Sequence, residues 1–379
     1  MLFGFYDRIL KLNIDWVLFL AILPLLGAGL LTMNSFTTDS YFFDRQLFWI
    51  VISLSIFFLF SLFDWRFLRR TGVVASLYVA GCAGLLLLVL FGQVTRDVQS
   101  WLSFGGVSIQ PVEFVKLIII IILAKYFTRR HMEIAHIRHI LVSGFYTLVP
   151  FTLVAIQPDF GSAVVIFLIW LGMIIVSGIS KKHLLLVFGG GLIAFIFLWG
   201  FVFADYQKAR IMTFVHPLTD IQGAGYNAFQ SMVAVGSGQI FGKGVGYGSQ
   251  SRLNFLPEHQ TDFIFAAFAE EWGFFGILLV FLLFGIIIWR IISNAKKGAS
   301  NFEALFGLGL AIFIMAHFTI HIGMNIGLLP VTGLPIPFMS YGGSHMFAIF
   351  AGLGILMGMR KYSHPIHRGD IQNEFIGPR

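Results

Sequence analysis

Runs of about 20 mostly apolar residues recur along this 379-residue chain, separated by short polar segments. That length is what an α-helix needs to cross the hydrocarbon core of a bilayer. Inside that core every backbone N–H and C=O needs an internal partner, so the runs are read as helices. Ten are recognised, at about 16–34, 47–63, 72–92, 111–127, 140–157, 160–179, 184–204, 263–290, 303–327 and 345–359. Charged residues make up only 11% of the chain, against about 25% in soluble domains. The expected fold is therefore an all-α polytopic membrane protein, one integral membrane domain spanning 1–379. A large extracytoplasmic loop, at about 205–262, separates the seventh and eighth spans.

The polar segments alternate between basic and nearly uncharged. Eighteen of the 25 Lys and Arg fall in one alternating set, which includes both ends of the chain. The other set holds Arg45, Arg96, Lys208, Arg210, Lys243 and Arg252, and Lys116 lies inside a span. Basic loops stay on the cytoplasmic side, which places both termini inside and the 205–262 loop outside. The net charge of +7 is then mostly a record of topology, and no nucleic-acid partner is expected. Trp16, Trp49 and Trp289 sit near span ends, as interfacial anchors do. Lys11 and Asp15 precede a first run long enough to span and without a small-residue cleavage site, so no cleavable signal is expected. Cys82 is the sole cysteine, which excludes an internal disulfide. No repeat of 20–50 residues appears, which excludes solenoids, and no inverted pair of interrupted spans of the kind many transporters show.

Ionisable side chains at or below the membrane surface are where chemistry is sought, because they are costly unless used. Asp262 closes the outer loop as its last charge, before the chain enters Phe263-Ile264-Phe265-Ala266-Ala267-Phe268. That placement suits a reaction at the membrane surface on a substrate part lipid and part polar. Lys243 and Arg252 flank the glycine-studded run Gly242-Lys243-Gly244-Val245-Gly246-Tyr247-Gly248, and Lys208 and Arg210 open the loop. Glycines let backbone approach a ligand closely, and successive N–H groups can cradle phosphate oxygens. The spacing is not that of a Walker loop. With Asp262 and the membrane setting, the run is read as a pyrophosphate-lipid site rather than a solvated loop.

Glu113 and Lys116 share a face of the fourth span, where they pair either with each other or with a substrate phosphate. Asp159, between the fifth and sixth spans, either binds a cation or sugar hydroxyl or caps the following helix. Glu270 lies near the face of Asp262, so it and Glu271 either line a polar groove or act as buried hydrogen-bonders. His317 and His321 have the spacing of a metal pair, but no HExxH pattern is present; hydrogen bonding between helices is expected. Ser293-Asn294-Ala295-Lys296 matches SxxK by coincidence, in a cytoplasmic loop. Gly323/Gly327 and Gly354/Gly358 are read as close helix packing. Trp101 and the amphipathic stretch 98–109 are expected to lie in the interface plane.

These motifs together resemble the SEDS family (shape, elongation, division, sporulation), its RodA branch rather than its FtsW branch. The resemblance is carried by Trp101 with Gln110-Pro111-Val112-Glu113-Phe114-Val115-Lys116, by Gln157-Pro158-Asp159-Phe160-Gly161, and by Gln230-Ser231 with Gly242-Lys243-Gly244. It continues through Leu256-Pro257-Glu258, Thr261-Asp262-Phe263-Ile264-Phe265 and Glu270-Glu271. It ends with Gly327-Leu328-Leu329-Pro330-Val331-Thr332-Gly333-Leu334-Pro335 and Pro337-Phe338-Met339-Ser340-Tyr341-Gly342-Gly343-Ser344. The RodA assignment rests on residues 254–257 and the short tail. Gln260, His321, His345 and Ile221 depart from the family pattern.

The resemblance implies polymerisation of lipid II at the outer face of the bacterial plasma membrane during wall elongation. The implied partners are lipid II, undecaprenyl-pyrophosphate-linked glycan, membrane lipid and a class B penicillin-binding protein. A GlcNAc C4 hydroxyl must lose a proton as it attacks the anomeric carbon of the growing chain, and Asp262 is the candidate general base. Pyrophosphate leaves without protonation, so no second acid is required. Lys116, Arg210, Lys243 and Arg252 are candidates to hold that leaving group, with a divalent cation (Mg2+ or Mn2+) as the one cofactor this chemistry invites and no organic cofactor. On the matching motifs, Glu113, Gln157, Asp159, Glu258 and Ser340 are implied substrate contacts, and no metal ligand is assigned. Two other readings stand beside this one: a flippase of lipid-linked precursors, and a non-catalytic scaffold for the crosslinking enzyme.

Overall fold

The structure is a computed structural model that describes residues 14–35, 41–95, 98–104, 107–128, 137–201, 208, 212–215, 225–253, 255–256 and 258–360. The helices are α1 (Trp16–Ser35), α2 (Tyr41–Leu62), α3 (Thr71–Phe91), α4 (Pro111–Thr128), α5 (Ile137–Ile156), α6 (Phe160–Ser177), α7 (Lys181–Phe201), α8 (Tyr226–Ser237), α9 (Ser249–Arg252), α10 (Ile264–Lys296), α11 (Asn301–Asn325) and α12 (Gly343–Arg360). Eight are long and apolar enough to cross a membrane: α1, α2, α3, α5, α6, α7, α10 and α11. Helices α4 and α12 stand outside that set. Helix α4 carries Glu113, Lys116 and Lys125, and α12 opens on His345, but most of both helices is buried among the others. Surrounded by protein, they do not need a lipid-facing surface.

One stretch is not helical. Within the stretch 98–109, expected as an amphipathic element in the interface plane, residues 98–104 and 107–109 form strands of a three-stranded antiparallel sheet. Its strands are β1 (Gln93–Thr95), β2 (Val98–Phe104) and β3 (Val107–Ile109), with Gln93 opposite Trp101 and Phe104 opposite Val107. Valine, threonine and isoleucine favour strands. Local strand chemistry thus overrides the all-α expectation for this segment.

Polar locks join the helices at their two ends. At the basic end, Asp15 accepts hydrogen bonds from Arg290 Nε (2.8 Å) and Asn294 Nδ2 (2.6 Å), tying the start of α1 to the end of α10. Burial alone would push the Asp15 carboxyl up, but these donors bring it below its ordinary value. Arg69 pairs with Glu303, which also completes a capping box with Ser300 at the start of α11. At the opposite end, Gln110 donates from Nε2 to Asp159 (3.1 Å) and from its backbone N–H to Ser344 Oγ (2.9 Å). The starts of α4, α6 and α12 are thereby gathered at one face. Gly354 and Gly358 lie against backbone and side chains of Phe57, Phe60 and Trp65, so this pair does mediate close packing. Gly323 and Gly327 face Leu329 and Met232 instead.

Helix α10 is broken at Gly273 (φ 63°, ψ −162°), and the turn after α8 fills the break. Lys243 N–H donates to Glu270 O and Gly244 N–H to Glu271 O, both at 3.0 Å. In return Phe274 N–H reaches Gln239 O (2.9 Å) and Phe275 N–H reaches Ile240 O (3.3 Å). An open helix turn at membrane depth would leave these groups unpaired, at several kcal/mol each. The exchange is possible because both crossing points are glycine: a Cβ on Gly242 would lie 2.0 Å from Glu271 O, and one on Gly273 2.2 Å from Gly242 N. Gly242→Ala is therefore expected to destabilise the fold by about 3 kcal/mol, read as a lowered melting temperature of the purified protein in detergent.

Candidate functional site

Asp262 sits in a tight turn immediately before α10. Glu258, in the left-handed region (φ 56°), offers its carbonyl to the N–H groups of Thr261 (3.1 Å), Asp262 (3.1 Å) and Phe263 (3.2 Å). Thr261 Oγ1 donates to Glu258 Oε2 at 3.1 Å, so the Glu258 side chain closes the turn. Buried Leu256 and Phe263 anchor the turn beside Ala234 and Ala266. The segment between α11 and α12 wraps the other side. Ser340 Oγ donates to Thr261 O (2.8 Å) and accepts from Ile336 N–H (3.0 Å), while Tyr341 N–H reaches Gln260 O (3.0 Å). The Asp262 carboxylate is half-buried against Gly333, where a Cβ would lie 3.6 Å from Oδ2. It is held at a lip, neither immersed nor fully solvated.

Below this lip lies a buried polar knot. Lys116 Nζ donates to Glu113 Oε1 at 2.7 Å, and His317 Nε2 lies 3.2 Å from the same ammonium. Pro335 O is 3.2 Å from His317 Nδ1, which assigns the proton there and turns the Nε2 lone pair toward Lys116. His345 Nδ1 donates to Glu113 Oε2 at 2.8 Å, and its ring lies 4.2 Å from that of His317. His321 Nδ1 donates to Leu334 O at 2.7 Å. Both α11 histidines bond to the backbone of the following loop, and His317 also bonds to Lys116 of the neighbouring helix α4, the contact between helices that the sequence led one to expect. Of the two options their spacing leaves open, Glu113 and Lys116 display mutual pairing.

Glu113, His317 and His345 place ligand atoms within 4.8 Å of one another, a group that could hold a metal ion. The Lys116 ammonium already contacts two of the three. One positive charge balances Glu113 here, and an added ion would force an ammonium and a metal to share a buried site. The trio is better matched to the lysine than to a metal.

The remaining candidates divide among other tasks. Asp159 caps α6 by accepting from Ser162 N–H (3.0 Å). Burial pushes its carboxyl up, against the charge of Lys116 and the Ser162 hydrogen bond. Gln157 is buried and donates to Leu85 O at 2.8 Å. Lys243 is paired to Glu270 at 2.6 Å, and Glu270 also accepts from Ser249 Oγ (3.1 Å) and Gln250 N–H (3.2 Å). Glu271 accepts from Gly246 N–H at 2.5 Å. The two glutamates are thus docking points for the glycine-rich loop, the hydrogen-bonding alternative of the two the sequence offered. Arg252 is exposed at the end of α9. Arg210, Asn254 and Pro257 lie outside the described residues. Sequence reasoning missed the parts of His345 and Asn325. The only available signal was that His317, His321 and Asn325 recur every four residues on one face of α11.

Two measurements probe this arrangement. Lys116→Met leaves Glu113 buried without its cation and is expected to cost about 3 kcal/mol or more, most of it recovered in the Lys116→Met/Glu113→Gln pair; thermal unfolding in detergent reads both. His259, hydrogen-bonded at Nδ1 to Leu256 O (3.0 Å), has its pKa lowered from 6.5 by burial. The unfolded chain then binds the extra proton, so stability is present above pH 6.5 and is lost as pH falls through the lowered value. Melting temperature should drop on acidification from that point, with a shallower slope in His259→Gln.

Comparison with known proteins bears on the whole assembly. Residues 9–364 match the FtsW/RodA/SpoVE family of cell cycle proteins. The probable peptidoglycan glycosyltransferase FtsW of Bacillus subtilis is 34% identical over 372 residues, covering 92% of this chain and 91% of that one. The peptidoglycan glycosyltransferase MrdB of Escherichia coli K12 is also 34% identical, over 93% of this chain and 95% of its own. A chain from a peptidoglycan synthase complex, described as coordinating polymerization and crosslinking, superposes with a TM-score of 0.80 at 27% identity, covering 92% of this chain and 98% of that one. The crystal structure of Thermus thermophilus RodA superposes at 0.69, also with 27% identity, covering 92% and 97%. Matched from end to end in sequence and fold, this multi-pass membrane chain belongs to the FtsW/RodA/SpoVE family.

Proposed function

We propose that this chain polymerises lipid II into glycan strands at the outer surface of the bacterial plasma membrane, with Asp262 as general base. The relatives named as peptidoglycan glycosyltransferases support the reaction class. The observation that carries the site is the half-buried Asp262 carboxylate, held by a closed turn at the mouth of the bundle. In the step envisaged, Asp262 takes the proton of the acceptor C4 hydroxyl as that oxygen bonds to the donor's anomeric carbon. The anomeric C–O bond breaks, and its electron pair leaves with undecaprenyl pyrophosphate. A base at that position contributes about 10²–10⁴-fold.

Pyrophosphate has cations within the outer segment. The Lys243 side chain keeps 32% exposure while paired to Glu270, so it can meet a phosphate from the solvent side without leaving its carboxylate. Arg252 is exposed at the end of α9, and Arg210 is the third candidate from the sequence. Lys116, Glu113, Asp159, Gln157, Glu258 and Ser340 remain candidate substrate contacts, with Glu258 and Ser340 supported by their bonds to the turn that carries Asp262. No step is routed through a protein-bound Mg2+ or Mn2+, since the histidine-containing trio holds an ammonium and Mg2+ prefers oxygen ligands. In this reading the chain works as one membrane domain with both termini cytoplasmic, following the basic loops, and alongside a class B penicillin-binding protein. Residues 254–257 favour service in elongation.

Asp262→Ala is expected to lower lipid II polymerisation by about 10²-fold or more while leaving lipid II binding in place, measured with purified protein and its crosslinking partner. Undiminished polymer from folded Asp262→Ala would remove Asp262 as the base. Lipid scrambling without polymer would favour a flippase. Arg252→Ala should raise KM for lipid II with a smaller change in kcat.

A further inference from the structure

We infer that Asn325 is a positioning residue that fixes Asp262 and couples it to helix α8 of the outer segment. The inference rests on the reading of Asp262 as the base. Asn325 ends α11 and is wholly buried. Its amide has two donor hydrogens and two acceptor lone pairs, and all are engaged. Nδ2 donates to Asp262 O (3.0 Å) and His321 O (2.8 Å). Oδ1 accepts from Ala266 N–H (3.1 Å) and shares the Ser231 hydroxyl proton (3.3 Å), which also reaches Asn325 O (2.9 Å). Rotating the amide by half a turn would set its NH2 against the Ala266 N–H, so one orientation is enforced.

The geometry compensates for a defect in α10. That helix begins on Phe263, which has no side-chain oxygen to cap its first turn. An N-cap side chain would ordinarily receive the N–H three residues on, which here belongs to Ala266. Asn325 supplies that oxygen from a different helix. At the same time it takes the carbonyl of Asp262, whose N–H is already given to Glu258 O at 3.1 Å. Both backbone polar groups of Asp262 are therefore held. A displacement of about 1 Å at a reacting group can cost about 10²-fold in rate, so this restraint sets how well the carboxylate meets an acceptor hydroxyl. Ser231 extends the restraint to α8, which packs on both α10 and α11.

The test compares Asn325→Asp, Ser231→Ala and Asp262→Ala in the purified full-length protein with lipid II, each quantified per folded molecule by gel filtration and melting. Asn325→Asp keeps the acceptor for Ala266 but replaces the donor to Asp262 O with oxygen. It should lower kcat by about 10²-fold, leave KM within about twofold, and shift the acidic limb of the pH–rate profile. Ser231→Ala should show a weaker change of the same kind. If Asn325→Asp does not fold, Asn325→Ser retains a cap oxygen without the donor and carries the same expectation. An unchanged kcat and pH profile in the folded variant, with Asp262→Ala inactive, overturns the inference alone. Full activity in Asp262→Ala overturns the base assignment and the inference with it.

Discussion

The structure depends on one constraint: inside a bilayer no backbone or charged group is left to water, so each must find its partner within the chain. The Glu113–Lys116 pair satisfies it with an ion pair 0–1% exposed, trimmed by two histidines. The break in α10 satisfies it by borrowing four backbone groups from the segment after α8. Asp15, Arg290 and Asn294 satisfy it at the basic end. These are locks between helices far apart in sequence, so the same bonds that remove a penalty also select a single arrangement of the bundle.

Asp262 occupies the edge of that regime. Its turn is closed by Glu258, pressed by the Gly333 backbone, and tied to Ser340 through Thr261. Rigidity in the backbone with partial exposure of the carboxylate is the combination that the proposed role of Asp262 as a base requires. The fully buried knot beneath it plays a different part. Lys116 and Glu113 neutralise each other.

Much of this was readable from residue order because its causes are local. A run of apolar residues long enough to span is visible as such in the sequence, and eight of the helices have that length and composition. The turn at Asp262 was likewise visible as the last charge before an apolar run. The three-stranded sheet was hidden because residues 98–109 alternate in a way that fits either an amphipathic element or a hairpin. The fate of Lys243 was hidden for another reason: its partner Glu270 is 27 residues away across a loop, and nothing local distinguishes a docking carboxylate from a groove-lining one. Asn325 carries no charge and matches no motif. Its proposed role exists only in the contacts with Asp262, in the turn before α10, and with Ala266 in α10.

The interrupted course of α10 has a mechanical outcome. Because residues 239–244 bond to carbonyls before Gly273 and to N–H groups after it, the segment following α8 ties both parts of α10 together across the break. Lys243 is thereby fixed by its backbone to the same helix that begins just after Asp262.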